Sequence, residues 1–431
     1  MNIITFETGE FKEEKTSAWL AGFLKFAQSI GVLEILEQVK VKMKEVDYTV
    51  HQKMITLLLS IVSGCRYTSD INEKLVPDTV AANIVGMDRF PDQSQINELI
   101  RRVDHQGLEQ FKHVHHQLFM QNAQCLSSTG FVVVDIDQSG LIANGKTYEL
   151  VEKGYFCKRK NQKGYQLSAA FCGGKNSETI SMYLDSGNHH CSGRFDDLIN
   201  DILAKLSDIR KDNRLIIRMD SGYGSDDNLL RIKDKIWFVA KAYSSARATK
   251  LAKTISEQDW YEVDPFVDIY ELPNKGTDGL RYILVRTMTR KGIFEYTMLV
   301  SNIPSAKMSA LEMYYFYNKR QTIEAFFKTC KNIYHIKNLR TRKFEGIQAF
   351  LWMVFITHNL LSWFKSTMLS DTKLEGVGTK TLVEKLGSIV AEVRKTGDTI
   401  RVILPQISVL ARKFAECMQP KYKQLSLFST S

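Results

Sequence analysis

Three short segments hold acidic side chains where a carboxylate is costly to keep. In Val132-Val133-Val134-Asp135-Ile136-Asp137-Gln138-Ser139-Gly140 an apolar run ends in two aspartates spaced by two, so both face the same side of an extended chain. The second segment, Leu215-Ile216-Ile217-Arg218-Met219-Asp220-Ser221-Gly222-Tyr223-Gly224, repeats the form: apolar strand, aspartate, then a turn of small residues. Carboxylates at the end of a buried strand must be paired, hydrogen-bonded or bound to a cation. An aspartate can also simply close the turn that follows it. Strand ends are nevertheless where ligands collect in an open α/β sheet, so two such aspartates suggest one shared site.

The third segment runs Tyr317-Asn318-Lys319-Arg320-Gln321-Thr322-Ile323-Glu324-Ala325-Phe326-Phe327-Lys328-Thr329-Cys330-Lys331. On one continuous helix, heptad steps drift only ~20°, which predicts that Tyr317, Glu324 and Lys331 share a face, with Arg320 one turn away. That stripe would offer a phenol, a guanidinium, a carboxylate and an ammonium. Taken alone, it could equally be a solvated charged face with an ordinary Arg320–Glu324 surface pair.

The elements that must position these groups follow from periodicity. Residues 15 to 125 have apolar spacings of three and four, as in Trp19, Leu20, Phe23, Leu24 and Phe26, then Met54, Leu57, Leu58 and Ile61, predicting helices. Pro91-Asp92-Gln93-Ser94 supplies N-cap chemistry for a helix ending at Arg101 and Arg102, which suits a helix-turn-helix recognition element or an ordinary amphipathic helix with a basic edge. From Phe131 the pattern becomes short β-type runs alternating with amphipathic segments such as 196–206 and 227–232, a mixed α/β sheet. Runs rich in β-branched and aromatic residues between about 245 and 303, with a turn at Pro273-Asn274-Lys275-Gly276, read as a β-rich insertion. Helices resume at Ser305, and Lys421 to Ser431 read as a frayed tail.

Composition narrows the class of function. The chain has 431 residues, 44% of them apolar, enough for two or three domains with cores. Lys and Arg total 58 against 48 acidic residues, a net charge of +10 that favours polyanionic partners. The seven cysteines, Cys65, Cys125, Cys157, Cys172, Cys191, Cys330 and Cys417, include no C-x-x-C pair and read as reduced cytosolic thiols, with neither a disulfide framework nor a zinc site expected. Glu7, Glu10 and Glu13 near Met1 are unlike a signal peptide. The apolar stretch from Gly346 to Phe364 is interrupted by Gln348, Thr357, His358, Asn359 and Ser362, so it reads as a core helix, and no membrane association is expected. His113, His115 and His116 lack carboxylate or thiol neighbours at ligand spacing and read as a solvated helix face, and His189-His190-Cys191 as a loop near substrate.

The spacing Y-x2-R-x3-E-x6-K, filled by Tyr317, Arg320, Glu324 and Lys331, resembles the signature of the DDE transposases of bacterial insertion sequences. Asp137-Gln138-Ser139 is similar to the D-x-S form of the family's first acid, Asp220-Ser221-Gly222-Tyr223 to the second acid and its turn, and Gly187-Asn188-His189-His190 to a polar stretch after the third strand. The resemblance covers roughly residues 130 to 365. It implies an α/β fold: an RNase H-like catalytic domain at 129–365 with the insertion near 245–303, preceded by an all-helical DNA-end-binding region at 1–128 and followed by a helical C-terminal region at 366–431. It implies cut-and-paste transposition in the bacterial cytosol, with two Mg²⁺ or Mn²⁺ ions held by Asp137, Asp220 and Glu324, and phosphates held by Tyr317, Arg320 and Lys331. The partners implied are double-stranded DNA, both terminal inverted repeats and target, and a second copy of the chain on paired ends, with Arg101 and Arg102 near the DNA. Asp135 remains the alternative first acid, and Asp137 is preferred for its place nearer the strand end and the small Ser139-Gly140 turn expected beside it. An RNase H-like nuclease that does not join strands, or a DNA-binding protein derived from an inactive transposase, are the alternatives.

Overall fold

In the computed structural model, which describes residues 3–9, 15–143, 145, 147–154, 156, 161–174, 177–273, 279–397 and 399–419, the chain opens with two strands, β1 (Ile3–Gly9) and β2 (Lys15–Ser17). Helices begin only at Ala18, so the region expected to be all-helical has a β lead-in. Cys157, Asn274 to Gly276, Glu10, Glu13 and Lys421 to Ser431 lie outside the described residues.

Two compact units are present. The first comprises residues 1–110, 333–335 and 360–431, and thus draws on both ends of the chain. Its helix Ala18–Ser29 starts where Ser17 accepts a hydrogen bond from the Leu20 amide, and helix Val50–Val62 starts with a capping box formed by Thr49 and Gln52. Trp19 is fully buried, donates its indole N–H to the Val62 carbonyl at 3.1 Å, and meets Phe364 edge-on with ring centroids 5.1 Å apart. The same unit corrects the expectation of a helical C-terminal region. Residues after 366 include β13 and β14, whose ranges are given below with the intervening strands, and among the described residues the helical elements there are the end of Lys365–Leu369, the π-helical turn Thr381–Leu386 and the α-helix Val409–Met418. The alternation Ala391-Glu392-Val393-Arg394 and Ile400-Arg401-Val402 has a period of two, which a helical reading of this segment overlooks.

The second unit comprises residues 111–332 and 336–359. Its sheet is built from β3 (Val132–Ile142), β4 (Glu152–Lys153), β5 (Lys163–Cys172), β6 (Glu178–Ser186), β7 (Leu215–Met219), β8 (Trp237–Lys241), β9 (Tyr261–Asp264), β10 (Val267–Glu271), β11 (Arg281–Met288) and β12 (Phe294–Ser301). The remaining strands, β13 (Val390–Thr396) and β14 (Thr399–Pro405), belong to the first unit and give its sheet the order β1-β14-β13-β2. In the large sheet the order is β4-β5-β3-β7-β8-β12-β11-β10-β9, with β6 also on β5. β5 and β6 run antiparallel to their neighbours, whereas β3, β7 and β8 are mutually parallel. The β-type runs between 245 and 303 form β9 to β12 and extend this same sheet, because β12 pairs with β8.

Helix Phe344–Phe364, long and apolar enough by composition to cross a membrane, is largely buried in the protein. Its polar residues are engaged: within the second unit, Asn359 accepts from the Thr179 amide at 2.7 Å and His358 Nε2 lies 3.0 Å from the Ser177 carbonyl. His115, expected on a solvated face, is buried, while His113 and His116 are exposed as expected. Its Nε2 lies 3.0 Å from Thr179 Oγ1 and its Nδ1 lies 3.4 Å from Lys205 Nζ, and burial holds the imidazole well below its ordinary pKa, in the neutral form.

Lys205 donates to the Ile180 carbonyl at 2.5 Å, and burial lowers its ammonium to about 8. The unfolded chain has the ordinary value of 10.5, so the folded state is penalised by protonation below pH 8 and relieved of that penalty above 10.5. Stability should therefore rise between those limits. Relative to Lys205→Met, the wild type should gain on the order of 2 kcal/mol across this window, after discounting for the partly exposed stem. Denaturant titrations of both proteins at several pH values measure this, and a pH-independent difference would refute it.

Candidate functional site

The strand register brings two of the acidic segments together. β3 and β7 pair in parallel with Asp135 opposite Arg218 and Ile136 opposite Met219, and the ladder ends there. Asp137 and Asp220 are the next residues on each strand. β3 itself does not end at Asp137: it continues to Ile142 along β5, with Ser139 opposite Leu167 and Gly140 opposite Gln166. The small-residue turn expected at Ser139-Gly140 is thus strand. Glycine is needed at 140 because a Cβ there would sit 2.5 Å from the Phe156 ring.

Asp135 and Asp137 share a face but differ in surroundings. Asp135 is 0% exposed and receives both prongs of the Arg218 guanidinium, Nε to Oδ1 at 2.7 Å and Nη2 to Oδ2 at 2.9 Å. Thr322 Oγ1 donates to its Oδ2 at 2.7 Å. Arg218 also donates from Nη1 to the Phe316 carbonyl at 2.7 Å and lies over the Phe316 ring. Every oxygen of Asp135 is thereby engaged by the protein. Asp137 keeps 20% side-chain exposure, accepts from the Gln138 amide at 2.8 Å, and is paired with Arg320 through Nη2 at 3.0 Å.

Asp220 is half-buried and its side chain accepts from the Ser221 amide at 2.7 Å, while the turn itself is closed by the Tyr223 amide donating to the Asp220 carbonyl at 3.0 Å. The turn is tight because its glycines meet other chain segments: a Cβ on Gly222 would fall 2.5 Å from Cys191 Sγ, and one on Gly224 2.0 Å from the Lys241 carbonyl oxygen. The Asp137 carboxyl is pushed above its ordinary range by burial, opposed by the Arg320 charge and reinforced by the Asp220 carboxylate. Two oxygen-only donors that repel each other at a partly exposed strand edge suit a hard divalent cation.

The third segment departs from the single helix predicted. It consists of helix Ala310–Asn318, a turn at Lys319 and Arg320, and helix Gln321–Asn332. The ideal heptad stripe from Tyr317 to Lys331 is interrupted, yet Tyr317, Arg320 and Lys331 all reach the same strand edges. Burial, then the adjacent Asp220 carboxylate, raises the Tyr317 phenol above its ordinary pKa. Arg320 reaches Asp137, and its buried Nε has no hydrogen-bond partner among the described residues. Lys331 donates from Nζ to Ser139 Oγ at 2.6 Å. Glu324 is exposed, on a helix tied to β3 near its start by Thr322 and near its end by Lys331.

Arg101 and Arg102 lie elsewhere, exposed at the end of helix Gln93–Arg102 in the first unit, with Asp92 capping its start and Arg102 paired to Glu98 at 3.4 Å. Beside the carboxylates lie Cys191, from the His189-His190-Cys191 loop expected near substrate, and two neighbours to which sequence reasoning gave no part, Tyr223 and Arg218. Cys191 lies close enough for Asp137 and Asp220 to help raise its thiol to about 11, after burial. The buried Tyr223 hydroxyl points toward Ser168 without reaching hydrogen-bond geometry and senses Asp137 and Arg320. Arg218 was the legible one, since a charge inside the apolar run Leu215–Met219 requires a partner.

Removing one member of the buried pair strands the other. Arg218→Met should therefore cost about 3–5 kcal/mol in denaturant titration, whereas Asp135→Leu combined with Arg218→Met should cost less than the sum of the single changes. Strictly additive losses would show that the two side chains are not coupled.

No curated protein matches the chain. The family model described as transposase DDE domain group 1 matches residues 21–423, nearly the whole length, and the chain belongs to the DDE transposase family.

Proposed function

We propose that this transposase performs cut-and-paste transposition of an insertion sequence, cleaving and rejoining DNA strands at a site formed by Asp137, Asp220 and Glu324. The observation that carries this reading is the convergence on one strand edge. Asp137 and Asp220 emerge side by side where the β3–β7 ladder ends, and Tyr317, Arg320 and Lys331, the neighbours of Glu324 in sequence, all face that edge. We read β6-β5-β3-β7-β8 as an RNase H-like core, from its two antiparallel strands followed by parallel ones.

The donor set is three carboxylates and no thiolate or imidazole, which fits two Mg²⁺ or Mn²⁺ ions. When bound, such ions activate the attacking oxygen and stabilise the leaving one in an in-line displacement. The chain's own residues supply the rest. Arg320, itself buried, holds Asp137 in place and adds its positive charge beneath the edge, where it favours a phosphate. Lys331, anchored on Ser139, adds a point charge to the same edge. Tyr317, held protonated beside Asp220, donates to the DNA backbone or stacks on a base. Hydrolysis at an element end leaves a 3′-hydroxyl, which then attacks the target strand. Double-stranded DNA ends and target are the partners, paired by two copies of the chain in the bacterial cytosol.

Asp137→Asn, Asp220→Asn and Glu324→Gln should each lower cleavage of an end-containing duplex by more than the ~100-fold that loss of an outer-shell partner costs, while end binding persists. Wild-type cleavage should require Mg²⁺ or Mn²⁺ and stop in chelator. Asp135→Asn should retain measurable activity in its folded fraction. An active Asp137→Asn beside a dead Asp135→Asn would move the site two residues upstream.

End recognition is assigned to the N-terminal region, with Arg101 and Arg102 at the DNA. In the full chain, Arg101→Ala with Arg102→Ala should weaken end binding and reduce the slope of log affinity against log salt by up to about two. An unchanged slope would remove these residues from the interface.

A further inference from the structure

Two cysteines far apart in sequence meet at the entry to β3. Cys125 lies in the 3₁₀ turn Gln124–Ser127 and Cys172 at the end of β5, opposite Val134 of β3. Glu178, the first residue of β6, joins them, and the two Sγ atoms and a carboxylate oxygen all lie within 4.8 Å of one another. All three residues are buried, with Cys125 and Glu178 at 0% exposure. Glu178 is oriented by two backbone donors, the Gln124 amide at 2.6 Å on Oε1 and the Cys125 amide at 3.1 Å on Oε2.

We propose that Cys125, Cys172 and Glu178 bind a thiophilic divalent ion of the zinc class, separate from the oxygen-only carboxylate site. A tetrahedral ion with ligand bonds of ~2.3 Å separates its donors by ~3.8 Å, inside the observed spread. Two thiolates and a carboxylate make a borderline-soft donor set that discriminates against Mg²⁺. A bound ion deprotonates coordinating thiols outright. A cleft of about 830 Å³, lined by Ser128, Val133, Cys172, Gly173, Arg218 and Thr322, reaches Cys172. It provides an entry path and room for a solvent molecule in the fourth position.

The ion would pin β5 to the turn leading into β3, one residue from the catalytic scaffold. Gly173 follows Cys172, and a Cβ on it would lie 2.7 Å from Thr322 Oγ1 and 3.2 Å from Asp135 Oδ2. A role in holding that scaffold, with no part in chemistry, follows from this placement.

The test is a Cd²⁺ titration of metal-free full-length Cys191→Ser protein in excess Mg²⁺, followed by ultraviolet thiolate-to-cadmium charge transfer. The Cys191→Ser background removes the thiol beside Asp137 and Asp220, and Mg²⁺ covers the carboxylates. One Cd²⁺ per chain is expected, with a saturable band lost on adding either Cys125→Ser or Cys172→Ser, kept in Cys330→Ser, and weakened but present in Glu178→Gln. Zn²⁺ should compete with the band and raise the Tm of the Cys191→Ser protein, but not that of its Cys172→Ser derivative. Absence of a saturable band, its survival in both serine variants, or a Cys125–Cys172 disulfide that refuses Cd²⁺ would overturn the proposal. If a serine variant does not fold, the Cys191→Ser protein decides through stoichiometry and Zn²⁺ competition.

Discussion

The buried pair between Asp135 and Arg218 is the constraint on which the carboxylate edge depends. Both charges are withdrawn from water, at 0% and 4% side-chain exposure, so each is tolerable only while the other is in place. The pair joins β3 to β7 side chain to side chain, where the backbone ladder already joins them. It also reaches beyond the sheet: Arg218 takes the Phe316 carbonyl near the end of one helix and Asp135 takes the Thr322 hydroxyl near the start of the next. The three chain segments that carry Asp137, Asp220 and Glu324 are thus gathered by one ion pair, two residues from the first of them. A hydrophobic replacement of similar volume could stabilise as much, but it would not set direction, because bidentate geometry fixes the rotation of both side chains.

This division of labour explains why two aspartates on one face of a strand take different parts. Asp135 has its oxygens committed to Arg218 and Thr322, and an added cation would have to displace a guanidinium in a site closed to water. Asp137 is held through one oxygen by Arg320 and the Gln138 amide and stays partly open. Arg320 spreads its charge over Asp137, Asp220 and Asp135 and leaves its Nε unpartnered. A buried donor with no partner among the described residues, beside two repelling carboxylates, is costly to the folded protein.

How much could be read in advance differs from element to element. The β-type runs after Phe131 were legible because short apolar runs bounded by turn residues have few alternatives, and the two strand-end aspartates because buried charge demands a reason. The break at Lys319-Arg320 was not, since the residues around it are adequate helix formers, and the contacts that flank it, Arg320 to Asp137, Arg218 to the Phe316 carbonyl and Thr322 to Asp135, are tertiary. β3 was expected to stop at Gln138-Ser139-Gly140 because those residues favour turns. Pairing with β5 overrides that preference. The hairpin of β13 and β14 has a visible period of two, but its partners lie nearly four hundred residues away at the other end of the chain, and no local signal connects them.

His115 and the Cys125–Cys172–Glu178 cluster illustrate the remaining limit. Reading His113, His115 and His116 together treats a helix as one face, yet 115 points inward to Thr179 while its flanking histidines point out. Spacing rules for metal ligands look for donors close in sequence, and Cys125, Cys172 and Glu178 meet only because β5 returns beside the turn that precedes β3. The same fold feature accounts for both the carboxylate edge and the thiol cluster. β3 lies between β7 and β5, which deliver Asp220 from one side and Cys172 from the other, and Asp135 lies between them. Any change that shifts β3 should therefore disturb both groups of side chains together, whereas changes confined to β7 or β5 should separate them.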